Sequence, residues 1–314
     1  MPEHAAAPDL VLLGNLLVDD LVFPDGTTRM GMAGGALLHA SLGAALWGAR
    51  VGCVSLYGDD YPADVLDALR ARGVALDGVI PLGRSGVRVW LLYEGSVRHV
   101  VYRLDCPSHE AISPTAEQIP AGWRGARAFH LAPMPLARQH ELVEHCRDGF
   151  VSVDPYALVT ESSLDTWREV LAGADVFLPS EDELRLEGVE QDPRAALRRL
   201  AVGRLRFIAF KRGARGGILY DAHEDRFYDW AARAGTVVDP TGAGDAFGQG
   251  FVTALLRGAS PREALNHGVI TASFAIERWG ADALLTATRD EAETRLAHWK
   301  RADADGGASQ GGSG

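Results

Sequence analysis

The chain reads as an α/β protein, with a mainly parallel sheet, helices on both faces and a small β lid. Three observations predict this. Short apolar runs alternate with helical stretches along most of the chain, the rhythm of βαβ units. Two segments break that rhythm and alternate with period two around turn residues, as antiparallel hairpins do. The 314 residues, 47% apolar and 23% charged, suffice for one large domain or two of roughly 150 residues. That composition excludes disordered, collagenous and coiled-coil chains.

Residues 9–14 are an apolar run stopped by glycine and residues 51–56 a second, with a Gly/Ala/Leu-rich helical stretch at about 35–48 between them. Buried-type strands are predicted at 128–131, 150–153, 176–178 and 207–210, with helices at 136–147 and 193–200. Strands without polar alternation are covered on both faces, which favours parallel pairing. The hairpin segments are residues 19–30 and 87–103. With their flanks, about 15–32 and 84–106, they form a lid inserted in a core domain spanning 1–301. Residues 302–314 have little to bury and are predicted to be a flexible tail.

A count of 31 Lys+Arg against 42 Asp+Glu gives a net charge of −11, which argues against a nucleic-acid or anionic-membrane partner. Cys53, Cys106 and Cys146 are widely spaced, so neither a disulfide framework nor a zinc site is suggested, and a cytoplasmic setting is expected. The first residues lack a basic, then apolar, leader pattern. The most apolar stretch, 33–47, is too short to span a bilayer. Glycine is the outlier at 36 residues, against a usual share of about 7%.

The densest signal lies in residues 237–251, Val-Val-Asp-Pro-Thr-Gly-Ala-Gly-Asp-Ala-Phe-Gly-Gln-Gly-Phe. A strand end leads into Gly242, Ala243 and Gly244, and a helix follows. Small residues at a helix start let backbone N–H groups converge on an anion, aided by the helix dipole. Asp245 stands beside this cradle. A proton acceptor next to an anion hole is the pairing phosphoryl transfer needs. Asp at a helix start is often only a cap; the preceding Gly-Ala-Gly and a second acid, Asp239, favour a site. No G-x-x-x-x-G-K-[ST] occurs, and the first strand lacks G-x-G-x-x-G, so neither a Walker loop nor a dinucleotide fold is indicated. His140 and His145 are five apart, the wrong spacing for two ligands on one helix face.

At this point the residues resemble the ribokinase-like (PfkB-type) carbohydrate kinases, over about residues 9–300. Residues 239–245, Asp-Pro-Thr-Gly-Ala-Gly-Asp, resemble the family's C-terminal signature. Supporting elements follow in family order: residues 14–19 ending in Asp19, Gly34 and Gly35, Gly58 and Asp59, residues 179–183 ending in Glu183, and the turn from Lys211 through Gly213 to Gly216. Three departures stand out. His39 and Tyr156 occupy positions where members often have Asn, and Ser180 replaces the Asn of an Asn-x-x-Glu element.

The resemblance implies a ribokinase-like three-layer αβα sandwich and an ATP-dependent kinase acting on an alcohol group of a sugar or sugar acid. It makes Asp245 the catalytic base and Gly242, Ala243 and Gly244 the anion hole. Asp19, Gly34, Gly35, His39 and Arg103 would face the substrate, and Lys211, Gly213, Gly216 and Ser180 the nucleotide. Glu183 would hold hydrated Mg²⁺, and Asp239 would contribute to a K⁺ site. Plainer roles stay open: an exposed helix acid for Glu183, a turn-closing carboxylate for Asp239, a surface arginine for Arg103. Alternatives are a nucleoside kinase of the same family, with Trp90 and Tyr102 stacking on a base, and a non-catalytic sensor. A homodimer pairing through the lid is a further expectation.

Overall fold

The computed structural model describes residues 7–94, 97–233 and 235–308. The extreme N-terminus, the Gly95-Ser96 turn of the second hairpin and the tail from 309 onward lie outside the described residues. In chain order the first half contains β1 (Leu10–Leu13), β2 (Leu17–Val22), β3 (Thr28–Gly34), α1 (Ala36–Leu46), β4 (Val51–Tyr57), α2 (Ala63–Ala71), β5 (Ala75–Pro81), β6 (Arg88–Glu94) and β7 (Val97–Tyr102). Then come α3 (His109–Ile112), β8 (Ala128–Leu131), α4 (Leu136–Cys146), β9 (Phe150–Val153), β10 (Val159–Thr160), α5 (Leu164–Ala172), β11 (Val176–Phe177), β12 (Leu184–Arg185) and α6 (Pro193–Leu200). The chain continues through β13 (Phe207–Lys211), β14 (Gly217–Asp221), β15 (Arg226–Trp230), α7 (Ala243–Leu256), α8 (Pro261–Ala275), α9 (Asp282–Thr286) and α10 (Arg289–Ala308).

Among the described residues, nine strands form the main sheet in the order β15-β14-β13-β11-β9-β8-β1-β4-β5. Pairing is parallel from β13 to β5 and antiparallel through β13-β14-β15. Side chains of β1 divide between the two faces, as a period of two requires. Val11 and Leu13 join Trp167 of α5, Leu142 of α4 and Leu197 of α6. Leu10 and Leu12 join Leu37 and Leu42 of α1. Both faces are therefore covered, which is why the central strands are continuous apolar runs. The family's three-layer fold is present.

The hairpins β2-β3 and β6-β7 make a second sheet, ordered β3-β2-β6-β7. Each hairpin is antiparallel, but β2 joins β6 in parallel. At the C-terminus α10 runs on to Ala308, seven residues into the stretch read as tail.

Candidate active site

The site lies where parallel strands end. Gly14 and Asn15 follow β1, Asp154 follows β9, Lys211 closes β13, and Ser180 bridges to Lys211. Carboxyl ends of parallel strands are where open α/β sheets bind ligands.

The anion cradle is built by the start of α7. Gly242 is its N-cap, with φ 74° and ψ 0°, a left-handed conformation that costs a side chain strain. A Cβ there would also meet the His39 ring at 2.1 Å. His39, in α1, is therefore packed against the turn that starts α7. The first-turn N–H groups of a helix have no intrahelical acceptor, although Ala243 makes a 3.3 Å contact with the Pro240 carbonyl. Asp239 accepts from Thr241 N and Gly280 N, both at 2.9 Å. What it visibly does is tie the cradle loop to the loop before α9.

Asp245 is half-buried in the first turn, between two groups of charges. Its carboxylate acts on Asp19 from one side and on Asp154, Glu183 and Lys211 from the other. On the second side, Lys211 Nζ donates to both Asp154 oxygens at 3.1 and 2.9 Å. A Cβ on Gly244 would lie 3.4 Å from the same Nζ, so the ammonium borders the cradle. Burial works against its charge, but Asp154, Glu183 and Asp245 outweigh it and raise the Lys211 pKa. Burial likewise pushes Asp154 and Glu183 up. Ser180 N donates to Glu183 at 2.7 Å, and the Gly213–Arg215 turn with Gly216 follows directly on Lys211.

On the substrate side, Asp19 is 5% exposed. A Cβ on Gly34 would lie 2.0 Å from its Oδ2, so only glycine lets the carboxylate rest on β3. Burial pushes its carboxyl up to about 8, with Asp239, Asp20 and Asp245 adding to the rise and Arg98 opposing it. Its neighbour Asp20 points the other way, into a bidentate pair with Arg88 at 2.6 and 2.7 Å and the Gly31 N–H at 2.7 Å. Burial opposes the Asp20 charge, yet these partners hold its carboxyl below the usual range. Gly35, with φ 94°, caps α1 against the Asn15 carbonyl.

Two expected residues stand apart from these groups. Arg103 is exposed and its guanidinium pairs with Asp105 at 2.6 and 3.0 Å. Trp90 pairs in register with Asp20 rather than Asp19 and is exposed, so it belongs to the outer face. The arginine that faces the site is Arg98, which is opposite Tyr93 in the β6-β7 register and exerts its charge on Asp19. Parity along β7 separates Arg98 and Tyr102 from Arg103.

Other site residues were not singled out from sequence. Tyr93 Oη and Thr241 Oγ1 are 2.6 Å apart, and Phe23 stacks on Tyr93 with ring centroids 4.7 Å apart. Phe23 also meets Trp279 edge-on, and Arg29 lies over Trp279. The second sheet is thus latched to the loop before α7 and to Trp279. Beyond Asp19, Tyr102 donates to Tyr156 at 3.1 Å, and His109 stands edge-on to Tyr156 with centroids 4.4 Å apart. Asn15 Oδ1, His39 Nε2, Tyr61 Oη and His109 Nδ1 are among the buried side-chain atoms of the described residues that have no partner, whereas buried polar atoms are normally satisfied.

An acid in the first turn of a helix that starts on Gly242, at the carboxyl ends of parallel strands and beside a buried Lys211, is an arrangement suited to phosphoryl transfer. Residues 19–288 match the model for the pfkB family carbohydrate kinases, and the chain belongs to that family and is a kinase. It is 30% identical over 279 residues to a cytidine kinase of Thermococcus kodakarensis, covering 87% of this chain and 97% of that protein. It is 24% identical over 276 residues to a 2-dehydro-3-deoxygluconokinase of Thermoproteus tenax, covering 82% and 84%. In fold it is similar to the Arabidopsis thaliana ribokinase complexed with ribose and ATP, with TM-score 0.71, 20% identity and coverage of 92% and 99%. No helix among the described residues is long and apolar enough to cross a membrane.

Proposed function

We propose that the protein transfers the γ-phosphoryl group of ATP to a hydroxymethyl oxygen of a nucleoside. The observation that carries the substrate class is the Tyr102, Tyr156 and His109 wall beside Asp19, an aromatic surface suited to a heterocycle. The similarity to a cytidine kinase over nearly its whole length supports the same reading. Asp19 accepts from sugar hydroxyls and sets the acceptor oxygen near Asp245. Asp245 takes the hydroxyl proton as the new P–O bond forms and the bond to ADP breaks. The N–H groups of Gly242, Ala243 and Gly244 receive the equatorial oxygens, and Lys211 adds a fixed positive charge at the rim.

Asp154, Glu183 and Asp245 all act on the single ammonium of Lys211, an excess of negative charge suited to a hydrated cation, although among the described residues no three acids, His or Cys stand close enough to ligate a metal directly. Mg²⁺, when bound, would offset triphosphate charge, and Glu183 would hold its waters. Ser180 and the Gly213–Gly216 turn would border the nucleotide. Each Asp239 oxygen accepts one backbone N–H group and keeps a lone pair with which it would contribute to a K⁺ site.

A second reading, a sugar-acid kinase, is favoured by one observation: Arg98 offers a guanidinium beside Asp19, a partner for a substrate carboxylate. ADP release measured with ATP, Mg²⁺ and a panel of nucleosides, sugars and sugar acids decides between them. Turnover with nucleosides supports the first reading; turnover confined to sugar acids overturns it. The partner proposal is a dimer through the exposed Met30, Trp90 and Val101 of the second sheet. Light scattering should give twice the monomer mass, and a monomer at all concentrations rejects it.

A further inference from the structure

The buried pair Asn15 and His109 has a hydrogen-bond polarity that can be worked out atom by atom. Asn15 follows β1 at the floor of the site and is 3% exposed; His109 opens the short helix α3. Ser113 Oγ donates to the His109 carbonyl at 2.8 Å. Its proton is committed there, so toward Asn15, 3.3 Å away, the hydroxyl can only accept. The Asn15 atom facing it is therefore the amide nitrogen, Nδ2. That nitrogen also lies 2.5 Å from His109 Nε2, and two donors cannot meet, so Nε2 accepts and the ring proton sits on Nδ1. Burial lowers the His109 pKa to about 4, in keeping with a neutral ring.

Two atoms remain after this assignment. Asn15 Oδ1 is an acceptor and His109 Nδ1–H a donor, and both are buried without partners. An apolar ligand would leave both unsatisfied, which is costly. A ligand edge with one N–H donor and one acceptor satisfies both. Tyr102 and Tyr156 flank the same ring, so the edge belongs to something planar.

We propose that Asn15 and His109 determine base specificity, Asn15 Oδ1 accepting from an exocyclic amine and His109 Nδ1 donating to a ring nitrogen, and that the preferred substrate is an aminopyrimidine nucleoside. This deepens the nucleoside reading and rests on it. A uracil edge presents its acceptor and donor in the opposite order and leaves the pair mismatched. Ser113 acts indirectly, by fixing the amide orientation.

The test compares kcat/KM of the intact protein for cytidine, uridine and the riboside of 2-pyrimidinone, which lacks the amine, and repeats it with His109→Phe and with Asn15→Ser. Cytidine should be preferred over both by roughly tenfold or more; His109→Phe, which keeps the ring contact with Tyr156 but loses the donor to the ring nitrogen, should reduce the preference over uridine, and Asn15→Ser should reduce the preference over the riboside that lacks the amine. Should His109→Phe fail to fold, Asn15→Ser still tests the contact to the amine. Turnover of pyrimidine nucleosides without preference for the amine overturns the specificity assignment and leaves the nucleoside reading intact. A preference that survives in the corresponding variant also overturns it. Turnover of sugars or sugar acids but of no nucleoside overturns both.

Discussion

Asp19 and Asp20 are adjacent on β2, yet their carboxyls are displaced in opposite directions, so their neutral variants should respond oppositely to pH. An unfolded Asp loses its proton near about pH 3.9, whereas folded Asp19 holds its proton to about 8. Between those values the folded chain binds one more proton than the unfolded chain, so stability falls as pH rises, by about 1.4 kcal/mol per pH unit. From about pH 5 to about pH 7.5 that amounts to about 3 kcal/mol, and Asp19→Asn removes the dependence. The variant should therefore gain about 3 kcal/mol over wild type across this interval in urea unfolding, while losing substrate turnover. Asp20 is stabilised as a carboxylate, so its contribution is present at neutral pH and lost as pH falls through its lowered pKa. Asp20→Asn strands Arg88 and should cost roughly 3 kcal/mol at neutral pH. Parallel stability curves for wild type and Asp19→Asn between the two pH values would refute the burial argument for Asp19.

Two further changes test the cradle and its cover. Gly242→Ala forces a left-handed alanine into the His39 ring and should destabilise by roughly 2–4 kcal/mol; adding His39→Ala should recover part of the loss, and strict additivity in the cycle argues against the contact. Tyr93→Phe removes the hydrogen bond to Thr241, about 1 kcal/mol, and loosens the latch. ATP hydrolysis without acceptor should then rise relative to coupled transfer, and an unchanged ratio removes the case for Tyr93 as a water-excluding contact.

Much of the fold was legible because β1, β4, β8, β9, β11 and β13 are buried on both faces and leave continuous apolar runs. β5, β14 and β15 were not singled out. They lie at or near the sheet edges, where Asp77, Asp229 and turn residues dilute the pattern. β10 and β12, two residues each, are too short for periodicity to register. At the site, local motifs placed Asp245, the Gly-Ala-Gly turn, Lys211 and Asp19, because helix starts and strand ends are sequence-local features. Arg98 and Arg103 could not be ranked until the β6-β7 register fixed which side each faces. The Lys211–Asp154 pair and the His39–Gly242 contact bring together residues from distant elements, and nothing in the spacing announces them. Asn15 and His109 are 94 positions apart and gain meaning only together.

The central claim is that Asp245 accepts the substrate proton beside an anion hole made by the start of α7. Steady-state kinetics of Asp245→Asn, with ATP affinity measured separately by calorimetry, tests it most directly. Turnover should fall by several orders of magnitude while ATP affinity stays close to wild type, because the cradle and Lys211 are untouched. Near-normal turnover with the protein's best substrate would contradict the assignment of Asp245 as the base.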